Sequence, residues 1–150
     1  ISSVSGTMGN AGQVNYSATK AIMELKKKGH IFVLYPAGTR YRPWEPESGR
    51  GMKETMAYLS IFDHFCCCSI NGNNMIPQEH EDMTKEHYDP DVLVFNFGPV
   101  TGTKSFIADI NAANPGIDKE DVRQAQADEI MRRIAELHTA AEEYRKPYIK

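Results

Sequence analysis

The chain is poor in the features that define several large protein classes. Its three cysteines are adjacent, Cys66-Cys67-Cys68, which gives no disulfide framework and suits a reducing compartment. No apolar run approaches the ~18 residues of a membrane span. The longest clear runs are Ile31–Tyr35 and Phe65–Cys68. Positive charge is not in excess: 17 Lys and Arg against 20 Asp and Glu leave a net charge of −3. General nucleic-acid binding is therefore not expected. No basic-then-apolar leader is present, and the first residue is Ile1 rather than Met, so the reading frame is expected to extend further. What is there is ordinary: 41% hydrophobic and 25% charged residues, as in a globular chain of one domain or part of one. A cytoplasmic location, with any membrane contact peripheral, is the expectation.

Glycines at 6, 9 and 12 mark Ser2–Gln13 as a loop. Asn15 can cap a helix over Tyr16–Lys28, with Ala18, Ile22 and Leu25 at helical spacing and Gly29 as its stop. Ile31–Tyr35 reads as a buried strand, followed by a polar loop over Ala37–Gly51. Met52–Phe62 reads as a helix and Phe65–Ile70 as a strand. Asn71-Gly72-Asn73-Asn74 reads as a turn. Gln78–Asp91 is expected to be irregular or a short helix. Val92–Phe97 reads as a central strand closed by Gly98-Pro99. Asp118–Lys146 is the clearest helix, with Asp118 as N-cap and Ile130, Ile134, Leu137, Ala141 and Tyr144 along one stripe. Alternating strands and helices imply an α/β fold, here a partial sheet with flanking helices.

Ser3, Tyr16 and Lys20 form a first chemical constellation. Four residues apart on a helix, Tyr16 and Lys20 share a face. An ammonium beside a phenol lowers its pKa, and such a Tyr can give a proton to a carbonyl oxygen while a loop Ser holds that oxygen. The same two residues also fit the solvated face of an amphipathic helix. Gly38, Thr39, Arg40 and Arg42 form a second constellation, in a loop at the end of a strand. Gly38 permits close backbone approach, Thr39 offers a hydroxyl, and two forked guanidinium groups suit a phosphate monoester. A solvated basic loop is the alternative. His64, Cys66 and Cys68 would share one strand face, but a buried strand explains them better than a metal, which would want a fourth ligand.

The stretch Ile1-Ser2-Ser3-Val4-Ser5-Gly6-Thr7-Met8-Gly9-Asn10-Ala11-Gly12-Gln13-Val14-Asn15-Tyr16-Ser17-Ala18-Thr19-Lys20-Ala21 resembles the active-site region of short-chain dehydrogenases/reductases, and most of all the β-ketoacyl-carrier-protein reductases. The resemblance implies that Ser3 orients a carbonyl, Tyr16 is the acid/base, and Lys20 assists it and binds the ribose of NADP. It covers residues 1–21 alone. The glycine-rich dinucleotide loop has no counterpart: Gly49-Arg50-Gly51 has Glu54 where a third glycine belongs.

Residues from Gly29 to Lys150 resemble the phospholipid/glycerol acyltransferases, a group that includes lysophosphatidic acid acyltransferase. Phe32-Val33-Leu34-Tyr35-Pro36-Ala37-Gly38-Thr39-Arg40-Tyr41-Arg42 is similar to that family's Phe-Pro-Glu-Gly-Thr-Arg-Ser-Arg block. Gly51-Met52-Lys53 is similar to its following basic segment, and Ile76-Pro77 loosely to a later apolar-Pro block. The resemblance implies that Gly38, Thr39 and Arg40, with Arg42 as a further candidate, bind the phosphate of a glycerol-phosphate lipid. Acyl-CoA or acyl-carrier protein would be the donor, with no cofactor. Ala37 replaces the block's Glu. The family's catalytic His, followed five residues later by Asp, has no match among the five histidines: the partners at that distance are Tyr35, Ser69, Lys85, Val92 and Glu143. The expectation is thus a composite: a reductase-like segment at 1–21 and the C-terminal part of an acyltransferase-like α/β domain at 22–150, inactive alone and prone to self-association.

Overall fold

The computed structural model describes residues 20–39, 41–72, 75–76, 87–88 and 90–149. The fold mixes helices with antiparallel strand pairs. Residues 20–27 (α1) are helical and end where the sequence places the stop: Gly29 takes a left-handed φ of +78°, and the His30 amide returns to the Leu25 carbonyl at 3.2 Å. Helix α2 is Thr55–Leu59, strand β1 is His64–Asn71, and strand β2 is Met75–Ile76. Strand β3 is His87–Tyr88, strand β4 is Val94–Gly102, helix α3 is Thr103–Ala113, and helix α4 is Lys119–Arg145. Strands β1 and β4 pair antiparallel, as do β2 and β3.

Helix α4 forms where its cap and apolar stripe predict. The Asp118 carboxylate accepts the Glu120 and Asp121 amides at 2.6 and 3.1 Å, satisfying donors that a bare helix start leaves open. Ile130 and Ala141 are buried, and Ile134 and Leu137 pack against the core. Tyr144 leaves the expected stripe and is 63% exposed, while Arg145 is buried in its place. The core joins α2, β1, α3 and α4 through Met56, Leu59, Cys67, Phe106 and Ile130, with Phe65 edge-on to Phe106 at 5.2 Å.

Several expectations need correction. Residues 31–35 form no strand: Ile31 is 95% exposed and Val33 and Tyr35 are also exposed. Phe32 and Leu34 turn inward, Phe32 against Phe62 at 5.0 Å, but the described residues offer this segment no neighbouring strand to pair with. The helix expected over 52–62 is α-helical only at Thr55–Leu59. Its flanks close tighter i to i+3 turns, such as Thr55 to Met52 and Phe62 to Leu59, at 3.0 Å each. His87–Tyr88 is extended and pairs with β2, where an irregular or helical segment is expected. Gly72 follows β1 with a left-handed φ of +98°; Asn73 and Asn74, the rest of the expected turn, lie outside the described residues.

Strand β4 begins at Val94 and continues through Gly98-Pro99 instead of closing there. The register explains why. Cys66 opposes Val100 and Cys68 opposes Phe97, so Gly98 and Pro99 together face the single Cys67. This is a β-bulge, the position in a ladder where a proline without an N–H is tolerated. β4 is also not central: among the described residues its sheet has two strands. Helix α3 follows β4 directly, and Phe106, Ile107 and Ile110 face the core from it.

Candidate functional site

The second constellation sits on a loop closed at its base. The Pro36 carbonyl accepts the Met52 amide at 2.8 Å and the Thr55 hydroxyl at 3.2 Å, joining the two ends of the segment 37–51. Inside it, the Gly38 amide returns to the Tyr35 carbonyl at 2.9 Å. Gly38 adopts φ +66°, and a Cβ there would lie 2.5 Å from Met52 Sδ. Only glycine meets both conditions without strain. Gly38 and Thr39 are exposed at this turn.

The distal half is held by the buried Ser48, whose hydroxyl accepts the Arg42 amide at 2.8 Å. Arg42 and Glu45 form a β-bridge, and the Arg42 guanidinium reaches the Glu45 carboxylate at 2.9 Å. Helix α4 anchors the exit. Gln124 donates to the Gly51 carbonyl at 2.8 Å, and a Cβ on Gly51 would meet the Ala127 carbonyl at 2.9 Å. Lys53 pairs with Glu120 at 2.8 Å and Arg50 approaches Asp128 at 3.8 Å. The hydrogen bond to Glu120 raises the Lys53 pKa, and the same bond lowers that of Glu120. Tyr41, against Gly49, and Trp44 leave aromatic surface exposed on this loop.

The structure therefore brings Gly38, Thr39 and Arg42 onto one closed loop, while Arg40 lies outside the described residues. Of the first constellation, Lys20 is exposed at the first described turn of α1, and Ser3 and Tyr16 lie outside the described residues. His138 is exposed on α4. Among the cysteines it is Cys67 that is buried, and burial pushes its thiol pKa up, as it does that of Cys68. Among the described residues, no group of three His, Cys, Asp or Glu side chains is placed to hold a metal ion. No described helix is long and apolar enough to cross a membrane.

Sequence reasoning missed a polar seam beneath the sheet. Ser69 donates to Asn71 at 2.9 Å, and Asn71 donates to the His138 carbonyl at 2.9 Å and to Glu142 at 2.8 Å. Asn96 donates to the Leu137 carbonyl at 2.9 Å. Arg145 grips Asp91 through two bonds of 2.9 and 3.1 Å. The only advance signal is Ser69 and Asn71 alternating with apolar residues on β1. Further along α4, Glu129 accepts from Arg132 at 2.7 Å and from Arg133 at 2.8 Å, which holds its carboxyl at about 2. Grooves of about 390 and 380 Å³ run between β4 and α4, and no residue of the 37–51 loop lines either.

No protein-family model, no curated protein and no solved structure matches the chain.

Proposed function

We propose that the chain carries the acceptor-phosphate element of a glycerophospholipid acyltransferase, with a lysophosphatidate-type lipid as acceptor and acyl-CoA or acyl-carrier protein as donor. The closed loop supports this reading. Gly38 takes a backbone conformation that a side chain would strain, and it presents Thr39 at an exposed turn immediately before Arg40. Phosphate oxygens accept well from a hydroxyl and a forked guanidinium, and Arg grips two of them at once. Arg42 adds a second fork once its Glu45 partner yields.

Acyl transfer also requires a base to take the proton of the acceptor hydroxyl as it attacks the thioester. The chain has no His with an Asp five residues on, so it holds the acceptor without turning it over. The test is thermal stabilisation by glycerol 3-phosphate. The unmodified chain is expected to gain stability and Arg40→Ala to lose that gain. Acyl transfer by the pure chain is expected to be undetectable; measurable turnover would overturn the inactive half of the reading.

A further inference from the structure

The register of β1 and β4 sorts their side chains into two faces. The face under α4 carries Phe65 and the buried Cys67, Ser69 and Asn71, with Asn96 beside them. The opposite face sets Ile70 across from Phe95, Cys68 across from Phe97, and Cys66 across from Val100, with His64 across from Gly102 at its end. On that face Ile70 is 49% exposed, Phe95 56%, Phe97 67% and Val100 73%. A sheet with one wet face turns its apolar residues to the core and its polar ones to water. Here the covered face holds Phe65 and Cys67 together with the polar seam, yet the open face is apolar as well, a pattern that fits strands covered on both sides.

We propose that this open face packs against the same face of a second copy of the chain, about a two-fold axis running along the strands. Three observations favour a second copy. First, none of the six apolar residues is charged and the imidazole of His64 lies at the end of the face, so the apolar patches of identical faces do not repel. Second, the face offers roughly 500 Å² of apolar surface, taking about 200 Å² for an aromatic side chain. Two such faces reach the ~1,000 Å² at which specific interfaces begin. Third, the face has a large column, Phe95, Phe97 and Val100 on β4, beside a column with two small residues, Cys66 and Cys68, on β1. A two-fold axis along the strands lays β4 of one copy over β1 of the other, so the bulky column meets the smaller one. The result is a two-layer sandwich with its sheets ~10 Å apart. This inference is independent of the acyl-acceptor reading.

The experiment is sedimentation of the whole chain from about 1 to 100 µM, a range that spans weak association. Alkylation of Cys66 is read in parallel by peptide mass. A monomer–dimer equilibrium is expected, with Cys66 alkylation slowing as the dimer forms. Phe97→Glu and Val100→Glu, both at exposed positions, should each give a folded monomer by circular dichroism with fast alkylation at every concentration. A monomer throughout the range would overturn the proposal, as would a dimer that survives both substitutions. Open-ended assemblies would also overturn it. A monomer whose Cys66 is protected at all concentrations would place a segment of the same chain over the face instead.

Discussion

Glu45 holds the Arg42 guanidinium at 2.9 Å on an exposed loop. An exposed pair of this kind is worth a few tenths to about 1 kcal/mol, so it is weak enough to yield to a phosphate but strong enough to compete with one. Glu45→Gln is therefore expected to tighten glycerol 3-phosphate binding by about two- to fivefold in a calorimetric titration; unchanged or weaker binding would count against Arg42 as a ligand. Glu129 gives a pH prediction. Its carboxyl is lowered from 4.5 to about 2, first by its hydrogen bonds to Arg132. A depressed carboxyl contributes stability above its unfolded pKa and loses it as the pH falls through the folded value. Glu129→Gln should flatten the loss of thermal stability between about pH 5 and pH 2. Thr103 works in the opposite sense. Its hydroxyl is buried with no hydrogen-bond partner among the described residues. Thr103→Val keeps the shape and removes an unsatisfied group, so a rise in melting temperature equivalent to about 1 kcal/mol is expected.

At the scale of elements, the loop over 37–51 depends on the turn at its entrance. Gly38→Ala puts a Cβ into a left-handed position and against Met52 Sδ. A loss of about 1–2 kcal/mol in denaturant unfolding is expected, together with weakened phosphate binding. A stable variant with unchanged binding would show that the turn does not shape the site. The legible elements are those with local causes. Asp118 and the stripe from Ile130 to Ala141 announce α4, and Gly29 announces the end of α1, because caps and periodicity act within a few residues. What was not legible depends on distant partners. Ile31–Tyr35 has the composition of a strand, but a strand is made by its neighbours, and the described residues supply none. Gly98-Pro99 reads as a stop because the bulge opposite Cys67 that accommodates proline belongs to another strand. The site follows the same division: Gly38, Thr39 and Arg42 were readable as residues. The Pro36 carbonyl that closes their loop and the α4 side chains that anchor it were not.

For the molecule as a whole, α4 acts as the common support. Its first turns anchor the loop through Gln124 and Glu120, its middle packs the core through Ile130, and its last turns hold Asn71 and Asp91. Asn71 is fully buried and joins β1 to this helix. Asn71→Ala leaves the Ser69 hydroxyl and the Glu142 carboxylate short of a partner, so a loss of about 2–3 kcal/mol is expected in equilibrium unfolding. The loop shares that support, so the same variant should lower thermal stability without abolishing the gain conferred by glycerol 3-phosphate. The acyl-acceptor reading rests on the loop recognising phosphate, and one titration addresses that directly: glycerol 3-phosphate against the unmodified chain and against Arg40→Ala, followed by calorimetry. Saturable binding to the first and at least tenfold weaker binding to the second are expected. No binding to the unmodified chain, or equal binding to both, would contradict it.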